Sequence, residues 1–327
     1  MEKVCVVGPF NPVMRQALQE VFPPSFELEY ISSYEEYDRL KTADYVIIRT
    51  LEIKGEHFEK LERCKLIQRW GAGFDSVDIL EAGEKGIPVA VTAGINAVPV
   101  SEMALAMMLA VYRNLVPMTG GIMEGKWERE EFSKRSYTIN GKTVGIFGIG
   151  NIGRKVAVLC RAFGAEVIYY DPYRLPPERE AELGVIYCSA EILWRTADIV
   201  TLHSPLTEET RGMANEKTLG VMKPGAVLIN TARSELVDLE ALAAALREGH
   251  LLGAGLDAVE EGITGENPLR GLSNVVLTAH LGGNTVDNSV HMARRCAEHI
   301  QTVSGGGQLL PPHLVNGQFL KQREEGR

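Results

Sequence analysis

The sequence predicts an α/β protein made of two doubly wound parallel-sheet domains. Three observations carry that prediction: short β-type runs alternate with helical patterns over roughly the first 100 residues, the alternation resumes after Thr143, and a glycine-rich strand–turn–helix unit stands where it resumes.

In chain order, VCVVG, FELEYI, YVIIRT, KLIQRW and IPVAVTA read as strands, and SYEEYDRL and VDILEAGEKG as helical patterns between them. Next comes an apolar run from Met103 to Tyr112. It is far short of the roughly 20 residues that span a bilayer, so it reads as a buried helix, with Ser101 as N-cap and Glu102 in its first turn. A helix apolar on all sides must be covered by something, and another subunit is a candidate.

The glycine unit runs from Thr143 to Asp171 and begins TVGIFGIGNIG. Gly148 permits a tight turn, Gly150 leaves room for a pyrophosphate, and Gly153 lets the following helix pack close to the sheet, the pattern of a Rossmann dinucleotide site. Ile152, Val156, Leu159, Cys160 and Phe163 form one apolar helix face, and Gly164 is placed to end it. The second strand, AEVIYYD, ends in Asp171, where a carboxylate accepts from both hydroxyls of an adenosine ribose and repels a 2′-phosphate. NAD is therefore favoured over NADP, with Arg174 nearby weighing slightly the other way.

Four more strands follow, ADIVTLH, GAVLINTA, LLGAGLD and NVVLTAH, then a helix, NSVHMARRCAEHI, and a Gly-rich and Pro-rich end that reads as a loop and frayed terminus. His203, Arg233, Asp257 and His280 stand just past the ends of those strands. In an open parallel sheet the ligand crevice lies beyond the carboxyl ends of the strands, so the four polar side chains converge where the glycine turn puts the dinucleotide. His203 is followed by Ser204 and Pro205 and reads equally well as a loop residue lining the cofactor; His280 is followed by Gly282 and Gly283 and reads as catalytic. His57, His250, His291, His299 and His313 lack such a setting and read as surface or packing residues.

The net charge of -9 over 327 residues argues against a nucleic-acid or anionic-membrane partner. Five scattered cysteines without a CxxC spacing read as reduced thiols rather than a disulfide framework or a zinc site, and MEKVCVVGPF begins a strand rather than a signal sequence, so the expectation is a cytoplasmic protein without metal.

A histidine and an arginine beside a nicotinamide imply a reaction. Imidazole, with an unperturbed pKa of about 6.5, moves a hydroxyl proton near neutral pH. A guanidinium fork grips a carboxylate in a bidentate way and polarises a neighbouring carbonyl. The implied substrate is a 2-hydroxy or 2-keto acid.

RWGAGFDSVDI, GIGNIG, LHSPLTEETRGM, NTARSELVD, GAGLDAVEE and NVVLTAHLGG together resemble the NAD-dependent D-isomer-specific 2-hydroxyacid dehydrogenases, the family of D-lactate, D-glycerate and D-3-phosphoglycerate dehydrogenases. Only the first 60 or so residues match weakly. The resemblance implies a flavodoxin-like substrate domain from residues 1–98 and 286–327, a Rossmann NAD-binding domain from 99–285 inserted in it, and a site in the cleft that closes about hinges near Val98 and Gly283. It makes Arg233 the ligand of the substrate carboxylate and carbonyl, and His280 the general acid/base. Asp257 would hold the nicotinamide carboxamide, while Asn151, Ile152, Asp171, His203, Pro205, Thr231, Ala232, Gly282 and Gly283 would line the cofactor. The family pairs its histidine with a glutamate. Counting forward from Asp257 that position is Gly262; counting back from His280 it is Glu261. A one-residue deletion reconciles the counts, so Glu261 is assigned, with Glu260 as alternative, and the usual following proline is missing.

On the substrate side, Trp70, Gly71, Ala72 and Gly73 follow the strand KLIQR, and successive amides in such a turn make a nest for a carboxylate. Trp70 walls a pocket or packs in the core; Arg69 recognises a second anionic group or is a surface charge. Relatives with a C-terminal regulatory module are longer than this chain. Family habit implies a homodimer through the nucleotide domain, with which the apolar helix and Trp127 agree. Two other readings remain open from the sequence. One is a non-catalytic NAD-sensing scaffold of the same fold. The other is a formate or phosphonate dehydrogenase; the formate enzymes carry glutamine where Glu260 and Glu261 stand.

Overall fold

The structure is a computed structural model that describes residues 1–259 and 267–321, and the chain divides into two units, Met1–Asn96 with Asn284–Arg327, and Ala97–Gly283. Each is an open parallel α/β sheet with helices on its faces.

The first unit begins with β1 (Glu2–Val7), α1 (Pro12–Val21), β2 (Phe26–Ile31), β3 (Tyr45–Ile48), β4 (Leu66–Arg69), α2 (Ile79–Glu84) and β5 (Val89–Ala90). Its strands are parallel in the order β2-β1-β3-β4-β5, the flavodoxin-like winding, which reverses direction between β1 and β3. YVII is buried at every position because helices cover both faces of a central parallel strand. Asn11 caps α1 by accepting from the Met14 amide at 3.0 Å, with Pro12 in the first turn. The helix buries Met14, Ala17 and Leu18 against Val4, Val6, Tyr45 and Ile47. SYEEYDRL is a 3₁₀-helix over Tyr34–Thr42 rather than an α-helix. Its buried residues, Tyr37 and Leu40, are spaced by three, the repeat that a helix of three residues per turn keeps on one face.

The second unit carries α3 (Ala97–Tyr112), α4 (Leu115–Met123), α5 (Arg129–Ser133), β6 (Thr143–Phe147), α6 (Asn151–Ala162), β7 (Glu166–Tyr170), α7 (Pro177–Leu183), β8 (Val185–Tyr187), α8 (Ala190–Thr196), β9 (Ile199–Leu202), α9 (Glu216–Gly220), β10 (Ala226–Asn230), α10 (Leu239–Arg247), β11 (Leu251–Leu256) and β12 (Val275–Leu277). The parallel order β12-β11-β10-β9-β6-β7-β8 is the Rossmann winding with one added strand, and its switch point lies between β6 and β9.

Ser101 is not the cap of α3. The helix starts a turn earlier, at Ala97, and Ser101 lies inside it, its hydroxyl donating to the Val98 carbonyl at 2.7 Å. Pro99 is tolerated there because first-turn amides have no intrahelical acceptor in any case. The apolar surround of this helix is mostly explained by its own unit. Ala104, Met107, Met108 and Val111 pack with Ile146, Val156, Ala157 and Cys160. Gly253 and Gly255 let β11 approach closely, since a Cβ on them would stand 2.6 Å from Val111 Cγ1 and 2.7 Å from Met107 Cβ. On α6 the buried face is Gly153, Val156, Ala157 and Cys160; Phe163, expected on that face, is exposed because the helix ends at Ala162. Gly164 at φ +80° makes the exit.

The chain then returns to the first unit with α11 (Val286–Ser304), capped by Thr285, whose hydroxyl accepts from the Asn288 amide at 3.3 Å. The Gly-rich and Pro-rich segment beyond α11 is not frayed over its described residues. Leu314 pairs with Ala90 in an antiparallel bridge, and the buried Asn316 side chain accepts from the Val89 amide at 2.8 Å and donates to the Ile87 carbonyl at 2.9 Å. Among the described residues no helix is long and apolar enough to cross a membrane.

Candidate active site

The glycine turn is built by three different constraints. Gly148 takes φ +96°, and a Cβ on it would stand 2.8 Å from the His203 carbonyl carbon, across the switch point. Gly153 faces back onto that turn, where a Cβ would lie 2.1 Å from the Gly148 oxygen. Gly150 meets nothing within 4 Å and caps α6 without a side-chain hydrogen bond. The first amides of α6, from exposed Asn151 and half-buried Ile152, follow directly on this open position and stand at the positive end of the helix dipole. An anionic pyrophosphate fits this cradle, and a side chain at position 150 would fill it.

Asp171 follows β7, and its carboxylate accepts from the amides of Ile149 at 2.9 Å and Tyr173 at 2.8 Å. It thus ties the glycine turn to the strand end. Arg174 is engaged elsewhere. Its Nε and Nη2 each donate to Glu180 at 2.9 Å, its guanidinium lies 4.9 Å from the Tyr187 ring centroid, and Arg174 with Tyr169 holds the Glu180 carboxyl down at about 2. With Glu180 as its partner, Arg174 weighs less toward a 2′-phosphate than its place in the sequence suggests.

The other predicted residues of this unit sit at the carboxyl ends of adjacent strands. Past β9, the His203 ring is sandwiched between hydroxyls, Nε2 at 2.8 Å from Thr201 Oγ1 and Nδ1 at 3.5 Å from Thr231 Oγ1. Burial drops its pKa to about 3, so it is neutral at physiological pH. Pro205 is exposed, its carbonyl accepting from Thr210 Oγ1 at 2.8 Å. Past β10, Thr231 is buried, and Ala232 and Arg233 are half-buried, with Arg233 Nη1 donating to the Ala232 carbonyl at 2.8 Å. Past β11 stands Asp257, 1% exposed. Its carboxylate accepts from Thr278 Oγ1 at 2.5 Å, the Leu281 amide at 2.9 Å and the Gly282 amide at 2.8 Å. Past β12, half-buried His280 has φ +52°, and its amide donates to the Asp257 carbonyl at 2.7 Å. Gly282 is buried, and a Cβ there would meet Asp257 Oδ2 at 2.7 Å; Gly283 is half-buried. Glu260, Glu261 and Gly262 lie outside the described residues.

Trp70, Gly71, Ala72 and Gly73 belong to the other unit. Trp70 packs in its core, edge-on to Phe10 with ring centroids 5.2 Å apart. The turn after it is pinned by the Trp70 amide to Ile48 and the Thr92 amide to Gly71, both at 2.9 Å. Arg69 braces it from inside, donating to the carbonyls of Gly73 at 2.9 Å, Ile48 at 3.1 Å and Arg49.

Sequence reasoning missed Asn230, which is fully buried at the end of β10 and hydrogen-bonded through both ends of its amide to the turn carrying Arg233. The available signal was its place: a polar residue closing an otherwise apolar central strand, AVLIN.

A Rossmann-wound sheet with an uncapped helix at its switch point, an acid after the second strand, and an arginine and a histidine at neighbouring strand ends defines an NAD-binding oxidoreductase class. The description "D-isomer specific 2-hydroxyacid dehydrogenase, NAD binding domain" matches residues 105–282. A glyoxylate reductase of Thermococcus litoralis is 38% identical over 84% of this chain and 84% of its own. A D-3-phosphoglycerate dehydrogenase of Methanocaldococcus jannaschii is 34% identical over all of this chain, which spans 62% of that longer protein. Among solved structures, the D-lactate dehydrogenase of Aquifex aeolicus, complexed with NAD and lactic acid, is similar at TM-score 0.83 and 28% identity, over 96% of this chain and 99% of that one. The chain belongs to the D-isomer-specific 2-hydroxyacid dehydrogenase family, and its cofactor is NAD.

Proposed function

We propose that this protein reduces a 2-keto acid to the D-2-hydroxy acid with NADH, Arg233 binding the substrate's carboxylate and carbonyl and His280 acting as general acid/base. The observation that supports this most directly is that Arg233 and His280 follow β10 and β12 of the sheet whose β6 leads into the open glycine cradle. The cofactor, when bound, supplies the hydride to the carbonyl carbon. The Arg233 guanidinium fixes the acid group and draws electron density toward the carbonyl oxygen. His280 in its imidazolium form gives that oxygen a proton, and takes it back in the oxidative direction.

Glu261, with Glu260 as alternative, is assigned to keep the imidazolium accessible. The glycine-turn residues Gly148, Gly150, Asn151, Ile152 and Gly153 are assigned to the cofactor, as are Asp171, His203, Pro205, Thr231, Ala232, Asp257, Gly282 and Gly283. The turn Gly71–Gly73 is assigned to the substrate's acid group because successive amides of a glycine-rich turn make a nest for a carboxylate, while Trp70, its amide bonded to Ile48 and its ring packed in the core, supports that turn rather than walling a pocket. The unit Ala97–Gly283 is the NAD-binding domain in this reading, and the other the substrate domain. The exposed apolar residues Leu115, Val116, Ile122, Met123 and Trp127, clustered in sequence on and after α4, support a homodimer, which light scattering on the purified chain tests.

NADH oxidation against pyruvate, glyoxylate, hydroxypyruvate, phosphohydroxypyruvate and bulkier 2-keto acids tests the activity. Turnover with at least one is expected, with His280→Ala lowering kcat by about 10²–10⁴ and leaving NADH affinity nearly unchanged. Tight NADH binding without turnover on any of them would move the reading to an NAD-sensing scaffold. Near-normal turnover of His280→Ala removes the histidine from the mechanism, and an unaffected kcat/KM in Arg233→Ala removes the arginine.

A further inference from the structure

Arg233 and His280 both stand on irregular backbone past the ends of their strands, where nothing in the sheet ladder fixes their direction. Two buried polar side chains at the ends of the adjacent strands β10 and β11 supply what the ladder does not. Asn230, fully buried, closes a ring on its own turn: Oδ1 accepts from the Ala232 amide at 3.0 Å and Nδ2 donates to the Arg233 carbonyl at 2.6 Å. The backbone on both sides of Arg233's Cα is thereby tied to one rigid amide. Asp257 does the same for the next turn, its carboxylate taking Thr278 Oγ1 and the amides of Leu281 and Gly282, while its carbonyl takes the His280 amide. The two clamps are joined, since the Asp257 amide donates to the Asn230 carbonyl at 2.9 Å.

The second clamp lies on a strained turn. His280 lies at φ +52°, a left-handed geometry that is strained for a residue with a Cβ. Gly282 leaves no space for a side chain beside Asp257 Oδ2, so the turn and the carboxylate fit only together. The Thr278 hydroxyl donates to Oδ1, completing three hydrogen bonds on a carboxylate that offers about four acceptor sites.

We propose that Asn230 and Asp257 are positioning residues, Asn230 setting the direction of Arg233 and Asp257, braced by Thr278, setting that of His280. This rests on the functional reading of Arg233 and His280 above. It assigns Asn230 and Thr278 a role in catalysis through their neighbours, and it gives Asp257 the His280 turn as a partner beside the nicotinamide carboxamide.

The experiment is a set of double-mutant cycles on the full chain, reading kcat/KM with NADH and the best 2-keto acid, with NADH affinity and melting temperature measured on every variant. Asn230→Ala and Asp257→Asn are each expected to lower kcat/KM by about 10–10²-fold, the scale of a displacement near 1 Å, with NADH affinity held within about threefold in Asn230→Ala. Added to Arg233→Ala, Asn230→Ala should lower kcat/KM by less than about threefold further, and Asp257→Asn should behave likewise on His280→Ala, because each pair acts as one unit. A purely stabilising role would leave the losses additive, and additive losses overturn the proposal. Asp257→Asn is also assayed with reduced 3-acetylpyridine adenine dinucleotide, which lacks the carboxamide amine. A loss of about tenfold or more is expected to persist with the analogue; a loss that vanishes with it would belong wholly to the cofactor contact and overturn the positioning role of Asp257. If either variant fails to fold, Thr278→Val against Thr278→Ser carries the Asp257 arm: a loss of about tenfold or more in kcat is expected for valine, with serine restoring it, and equal activity of the two refutes the clamp. Full turnover in Arg233→Ala and His280→Ala would instead sink the functional reading, and the positioning roles with it.

Discussion

Two alanine substitutions three residues apart in the glycine turn should fail in opposite ways. Gly150 has φ −70° and nothing within 4 Å of a built Cβ, so alanine needs no backbone change there. Stability should stay within about 0.5 kcal/mol of the parent. The added methyl, however, projects into the space in front of the first α6 amides. A pyrophosphate held there must move away from those donors, and NADH dissociation should rise about tenfold or more, equivalent to about 1.4 kcal/mol. At Gly153 a Cβ would sit 2.1 Å from the Gly148 oxygen, well inside the 3.0 Å below which real contacts are essentially never found. Helix α6 or the turn must retreat by nearly 1 Å, an overpacking that costs about 1–3 kcal/mol. At about 2–4 °C per kcal/mol for a unit of this size, the melting temperature should fall by roughly 2–12 °C. Differential scanning fluorimetry with and without NADH, together with a fluorescence titration of NADH, separates the two. A Gly150→Ala protein that binds NADH like the parent would show that the pyrophosphate does not approach position 150. A Gly153→Ala protein that melts like the parent would refute the packing argument.

Asp171→Ala should narrow the preference for NADH over NADPH, and because Arg174 is held by Glu180, adding Glu180→Ala should raise NADPH use further; steady-state rates with both cofactors check this, and no change in their ratio would deny Asp171 its role. Asn316→Ala removes the partner of a buried amide and a buried carbonyl, so chemical denaturation should show a loss of about 2–4 kcal/mol, and an effect below about 0.5 kcal/mol would show that the tail is not docked as described. His299, buried against Gln68 with His313 and Arg295 nearby, has its pKa lowered to about 4, mainly by burial. The unfolded chain takes up that proton from about pH 6.5 downward while the folded chain resists it until about 4, so His299 draws stability down across that window and no further below it. His299→Gln should flatten the fall in melting temperature between pH 7 and 4, and an identical profile would refute the assignment. Glu261→Gln should displace the pH profile of kcat/KM more than Glu260→Gln, the reverse result moving the assignment by one residue.

Much of the fold was legible because it arises from patterns short enough to read in one segment. The strand runs of both units, the winding implied by alternation with helices, and the three glycines each reflect a local requirement of period, turn or close approach. The features that failed to read were set by distant partners. Ser101 looks like a cap by type, yet the helix begins at Ala97, and Ala97, Val100 and Ser101 are all buried along it. Leu314 and Asn316, in a segment rich in glycine and proline, are ordered by the edge of β5, more than 220 residues away, and no local pattern marks that.

The same distinction explains which part of the candidate site could be read. A strand-end rule finds side chains that project into the crevice, and it picks out His203, Arg233, Asp257 and His280 by position alone. It is blind to residues whose work is done on the backbone. Asn230 is invisible to it because a buried asparagine after AVLI looks like the strand's polar stop, and Thr278 because threonine is an ordinary strand residue. Their significance lies in which amide and which carbonyl each one meets, and that depends on the register of β10, β11 and β12. Shifting β11 by one residue against β10 would move the Asp257 amide off the Asn230 carbonyl, and reversing its faces would turn the carboxylate away from the His280 turn. Sheet register therefore decides which backbone groups the buried side chains of Asn230 and Asp257 meet, which is why residues at the strand ends were readable in the sequence and the contacts of Asn230 and Thr278 were not.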